Sequence, residues 1–167
     1  MSSDSVNLVV ADTSPLIAIA IMELFPVLNQ LFKQVIVPRA VVHECLHDLS
    51  KAHANAIRRA LKQQWIKEKK VNNTEYCQLL GQILDPGEAE AITLAKELNA
   101  TTLIDEKAGR KVARREGLVC IGSLYVLIKA KQAGLIESVT PLIKRLIEHG
   151  YYLDQKLIDT VIDVCNE

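Results

Sequence analysis

Aromatic side chains are scarce in this chain: two Phe, four Tyr and one Trp in 167 residues. A surface that stacks successive bases needs such rings. The apolar 49% is instead mostly aliphatic, which suits the core of a helix-covered sheet. Net charge is absent too, because 20 Lys and Arg offset 20 Asp and Glu. That excludes a global basic field but leaves room for a local stripe. The four cysteines form no C-x-x-C pair, and His43 and His47 lack a third neighbouring ligand, which argues against zinc. No G-x-G-x-x-G, G-x-x-x-x-G-K-[ST] or G-x-S-x-G occurs, so dinucleotide, P-loop and serine-elbow chemistries fall away. No apolar run reaches membrane-spanning length, and Met1–Ser5 carries no basic n-region. Free thiols without an export signal predict a cytoplasmic protein with no membrane association. The length, with no repeat or long linker, predicts one domain over 1–167.

What is present is an alternation of two periods. Short β-branched runs at Val6–Ala11, Val35–Val37, Thr101–Ile104 and Val119–Ile121 read as buried strands, and Trp65–Val71 as an edge strand. Between them lie helical patterns, among them Leu16–Leu24, the run from Arg39, Glu75–Leu84, Gly87–Leu98 and a basic helix Ala108–Glu116 closed by Gly117. Amphipathic helices from about residue 124 follow, separated by Gly134 and Gly150. Strands alternating with helices predict an α/β fold with a doubly wound parallel sheet.

Acids punctuate these elements. Asp12 follows the first strand, Glu44 lies on the helix after the second, Glu88 and Glu90 open a helix, and Asp105-Glu106 follow the fourth run. Each has an ordinary explanation, as a helix cap, a first-turn charge favoured by the helix dipole, or a surface residue. Jointly they point to one place, since the carboxyl ends of parallel strands converge on a crevice. Acids gathered there repel one another, and a divalent cation with oxygen ligands, Mg²⁺ or Mn²⁺, relieves that repulsion. Such a centre suits phosphoryl chemistry. A phosphoacceptor receiver also gathers acids at strand ends. It wants paired acids after the first strand and a lysine at the last, where this chain has Asp12 alone and Ile121-Gly122-Ser123.

Four segments, Asp12-Thr13-Ser14-Pro15-Leu16-Ile17, Val37–Glu44, Gly87–Ala95 and Leu103–Arg110, together resemble the PIN-domain family. The likeness is to a prokaryotic branch with D-T-S-P-L-I and G-E-A-E-A signatures; it runs from about Asn7 to Ile121 and more loosely beyond. The resemblance implies a three-layer α/β/α sandwich around a parallel sheet of about five strands, and a Mg²⁺- or Mn²⁺-dependent ribonuclease. It places the metal-binding and catalytic acids on Asp12, Glu44, Glu88 and Asp105, and a supporting hydroxyl on Ser14 or Thr13. Glu88 stands where many members have Asp. Glu106 stands where this branch has a second Asp, so that either Asp105 or Glu106 faces the metal.

The expected activity is hydrolysis of RNA phosphodiester bonds, in a protein that many relatives use as the toxin of a toxin–antitoxin pair. The other reading is a PIN-like interaction protein without nuclease activity. Lys107, Arg110, Lys111 and Arg114 share a broad helix face at i, i+3, i+4 and i+7 and form a candidate phosphate-tracking stripe. The C-terminal helices carry more aliphatic side chains than a sheet already covered on both faces requires. That surplus predicts an exposed apolar surface, a homodimer, and an antitoxin segment docked near the acids.

Overall fold

A computed structural model describes residues 8–167. The part of the first expected strand at Val6 and Asn7, and the N-terminal segment Met1–Ser5, lie outside the described residues. Five strands, β1 Leu8–Ala11, β2 Gln34–Pro38, β3 Lys67–Lys69, β4 Thr101–Leu103 and β5 Cys120–Ile121, form one sheet in the order β3-β2-β1-β4-β5. All four pairings are parallel, with Val9 opposite Val35 on one side and Thr101 on the other. Parallel strands need crossover connections, and helices supply them on both faces. These are α1 Thr13–Ile21, α2 Phe25–Leu31, α3 Arg39–Leu46, α4 Ala52–Lys62, α5 Thr74–Leu80, α6 Pro86–Leu98 and α7 Lys107–Arg115. The chain closes with α8 Ser123–Gln132, α9 Thr140–Glu148 and α10 Gln155–Val164. The result is a three-layer α/β/α sandwich.

Alternation along the strands divides the core. Val9, Ala11, Val35 and Val37 pack with Leu16, Ile19, Leu28 and Ile57 on one face. Val10 and Ile36 turn to the other face, against Ala91, Leu94 and Ala95 of α6. Strands buried on both sides explain why the sequence shows continuous β-branched runs rather than alternation. The edge strand β3 is Lys-Glu-Lys and wholly exposed, and charge on a short edge discourages pairing with another chain.

The C-terminal helices change one expectation. Leu124, Leu127, Ile143, Leu146, Ile158 and Val161 are buried in the same cluster as Leu103 and Ile121. They cover the β4–β5 half of the first sheet face. The aliphatic surplus is therefore largely core, although Ile147, Leu157 and Val164 stay about half exposed. Among the described residues no single helix is long and apolar enough to cross a membrane; α1 and α2 meet that test only as a pair bent by 117°, and both contribute buried residues to the core.

Candidate metal centre

The end of β1 sets the first acid. Asp12 continues the ladder, its N–H donating to Leu103 C=O at 3.0 Å, and its backbone then turns into α1. It occupies the N-cap position, yet its side chain makes no capping hydrogen bond. The carboxylate is 3% exposed and faces α6 and α3 instead. A Cβ built on Gly87 would lie 3.1 Å from Asp12 Oδ1 and 3.3 Å from Glu44 Oε2, so both carboxylates crowd that glycine. Any side chain at Gly87 would occupy the space between them. Glu44 is tied to the same turn, because Thr13 Oγ1 donates to its Oε2 at 2.9 Å.

Helix α6 brings the next pair. Asp85 and Glu88 form a capping box: Glu88 N–H donates to Asp85 Oδ1 at 2.8 Å, and Asp85 N–H donates to Glu88 Oε2 at 3.3 Å. The ordinary cap explanation thus accounts for one oxygen of Glu88. It does not account for the other. Glu88 is 4% exposed, and its buried Oε1 has no hydrogen-bond partner among the described residues. A buried, unpartnered carboxylate oxygen is costly. Gly109 on α7 makes room for it, since a Cβ there would lie 3.1 Å from Glu88 Oε1 and 3.0 Å from Ile104 Cγ2. Glu90 turns away from the cluster, and its Oε1 accepts from Ala40 N–H at 3.1 Å. It thereby caps α3, whose own N-cap, Pro38, has no polar side chain.

After β4 the two adjacent acids part. Asp105 accepts three hydrogen bonds: from Ser123 N–H at 2.7 Å, from Ser123 Oγ at 2.7 Å, and from the Tyr151 hydroxyl. Both its oxygens are engaged on the β5–α8 side. Glu106 points the other way. It sits at the N-cap of α7 without capping it, and its Oε1 accepts from Ser14 Oγ at 3.1 Å. Carboxylate oxygens of Asp85, Glu88 and Glu106 lie within 4.8 Å of one another. Asp12 and Glu44 meet at Gly87 of α6, one residue before Glu88, and the charges of Asp85, Glu88 and Glu106 reach Asp12. Asp105 lies outside the Asp85–Glu88–Glu106 group, and its oxygens are held by Ser123 and Tyr151.

Sequence reasoning passed over Asp85, Ser123 and the Tyr151–Asp105 bond. Asp85 carried a signal, the D-x-x-E pattern of a capping box. Tyr151 carried none, because 46 residues separate it from Asp105.

The electrostatics follow from burial. The Asp12 carboxyl is pushed from 3.8 up to about 7, chiefly because the site excludes water. The Thr13 N–H opposes this, and the charges of Asp85, Glu88 and Glu106 add to it. Glu88 is pushed from 4.5 up to about 7, again first by burial and then by Asp85 and Glu106. Its carboxyl and that of Glu106 approach each other, a contact that is repulsive unless a proton or cation lies between them. An all-oxygen donor set, one orphaned buried oxygen and two carboxyls unwilling to ionise alone fit a hard divalent cation.

The basic residues of α7 divide. Arg110 is half-buried, and its Nη1 donates to Ile104 C=O at 2.7 Å, which anchors the β4–α7 loop. Lys107, Lys111 and Arg114 are exposed.

The description of the DUF3368 family, a PIN domain, matches residues 8–167, and the chain belongs to that family. PIN domains are typically metal-dependent nucleases, and the group Asp85, Glu88 and Glu106 could hold a metal ion. No curated protein matches the sequence.

Proposed function

We propose that the protein is a cytoplasmic, Mg²⁺- or Mn²⁺-dependent endoribonuclease that hydrolyses RNA phosphodiester bonds, acting as the toxin of a toxin–antitoxin pair. The observation that carries this reading is the buried Glu88 Oε1, which has no partner among the described residues although carboxylate oxygens of Asp85 and Glu106 lie within 4.8 Å of the Glu88 carboxylate. A purely structural capping box needs no such oxygen and gains nothing from the neighbouring charges.

Asp12, Glu44, Glu88 and Glu106 are the residues that would hold the ion, with Asp85 at its edge. Bound there, a divalent ion supplies a hydroxide at neutral pH and neutralises charge on the scissile phosphoryl group. The chain's own residues do the rest. Thr13 and Ser14 fix the carboxylates of Glu44 and Glu106 from the start of α1. Ser123 and Tyr151 hold Asp105, and Arg110 holds the Ile104 carbonyl, so the segment carrying Glu106 is restrained on both sides. Restraint of this kind limits the rearrangement needed when substrate arrives.

The test is incubation of unstructured RNA with purified protein in Mn²⁺, in Mg²⁺ and in EDTA. Metal-dependent cleavage that is lost in Asp12→Asn and in Glu88→Gln supports the reading. Metal binding without cleavage of any RNA would return the protein to the interaction-protein alternative.

A further inference from the structure

A groove of about 1040 Å³ lies beside the acidic cluster, between α1, α4 and the segment after α9. One lining residue joins it to the cluster and another to Asp105. Ser14 holds Glu106 through its hydroxyl, and Tyr151 holds Asp105. Its walls are largely apolar, among them Ile17, Ile21 and Phe25, while its charged residues are mostly basic although the chain has a formal net charge of zero. Its charged lining is Lys51, Arg59 and Arg145 against Glu23. Arg145 pairs with Glu23 at 3.1 Å. Lys51 and Arg59 are exposed and form no salt bridge among the described residues.

Trp65, the only tryptophan, is half-buried; it packs against the main core and also lines the groove. Its ring is therefore held in place where a planar ligand could reach it. The expected stripe on α7 lies elsewhere. Val112 and Ala113 of α7 pack with Ile92 and Leu80 in a separate cluster, and Arg110 is already committed to Ile104.

Taking the site as a ribonuclease, we infer that single-stranded RNA leaves the acidic cluster along this groove, with phosphates on Lys51 and Arg59 and a base against Trp65. The position of the acids requires a polyanion to pass close by, and uncompensated cations next to them would offset the repulsion it meets. A single strand is indicated because only an unpaired base can stack on one aromatic wall. A volume at the upper end of small-molecule sites suits a few nucleotides rather than a flat duplex contact.

The experiment uses the full-length Asp12→Asn protein, which keeps the RNA intact, and a fluorescein-labelled single-stranded oligoribonucleotide. Anisotropy gives affinity across a salt series, and intrinsic emission reports on Trp65 alone. The expected result is quenching of Trp65 emission on binding. Lys51→Ala with Arg59→Ala should weaken binding and reduce the slope of log affinity against log salt by about 1.4, at about 0.7 per phosphate on a single strand. Lys107→Ala with Lys111→Ala removes the same charge and should leave slope and quenching in place. An unchanged slope in the groove variant, a reduced slope in the α7 variant, or binding without any change in Trp65 emission would overturn the inference. Wild-type cleavage of RNA alongside an unchanged groove slope removes the groove and keeps the nuclease. Groove-bound RNA left intact by wild type in Mn²⁺ does the reverse.

Discussion

Neutralising Asp12 should stabilise the metal-free protein at neutral pH and destabilise it, relative to wild type, once metal is added. Folding raises the Asp12 carboxyl from 3.8 to about 7. The folded state therefore binds more protons than the unfolded chain between those values, and stability falls as pH rises through that window. At about 1.4 kcal/mol per pH unit, holding Asp12 ionised costs the fold about 4 kcal/mol when pH exceeds the raised value. Proton sharing with Glu88 and the relaxation of neighbours reduce the measured gain, so Asp12→Asn should add about 2–4 kcal/mol above neutrality. Near pH 4 both side chains are neutral and the difference should vanish. For a domain of this size the gain corresponds to very roughly 4–16 °C in melting temperature.

Saturating Mn²⁺ should invert the order. At a thousandfold excess over Kd wild type gains about 4.1 kcal/mol, enough to overtake the advantage of a variant that has lost a ligand and gains little. Thermal melts by circular dichroism at acidic and alkaline pH, in EDTA and in Mn²⁺, give the four comparisons. An Asn variant that melts below wild type in EDTA above neutrality would refute the reasoning. It would mean that the Asp12 carboxylate has favourable partners in the fold, as a true helix cap does.

Other outcomes follow from particular contacts. Glu167 accepts from Val139 N–H at 2.8 Å and Thr140 N–H at 3.1 Å, and also from the Ser138 and Thr140 hydroxyls, at the uncapped start of α9. These donors hold its carboxyl well below the usual range, so its contribution is present above the unfolded value and is lost as pH falls. Glu167→Ala should lower the melting temperature by several degrees at neutral pH and by less in acid, a trend opposite to that of Asp12. Gly109→Ala places a methyl 3.1 Å from Glu88 Oε1, and calorimetry should find weaker Mn²⁺ binding with the fold retained; unchanged affinity would remove Glu88 Oε1 from the metal site. The proposal of a homodimer is checked by light scattering at about 10–100 µM, where a monomer would overturn it.

Most of the architecture was legible in the sequence because its signals are local. The β-branched runs, the Gly117 stop with φ +80° and the helical periods each report on neighbouring residues, and a parallel sheet follows from their alternation. The approach of Asp12 and Glu44 to the start of α6 was legible for a related reason. Parallel strands send their carboxyl ends to one edge, so position in the element fixes position in space.

Tertiary structure decided what adjacency could not. Asp105 and Glu106 are chemically similar neighbours, and nothing local separates them. Ser123 at the start of α8 and Tyr151 between α9 and α10 claim Asp105, and Ser14 at the start of α1 takes Glu106. The dual use of Glu88, one oxygen capping and one oxygen orphaned, depends on Gly109 leaving space across another helix. The aliphatic C-terminal helices gave no sign of whether they faced core or solvent. That was settled by the strand order, which leaves Leu103 and Ile121 uncovered until α8, α9 and α10 fold over them. Periodicity tells which face of a helix is apolar, and only the packed sheet tells what lies opposite that face.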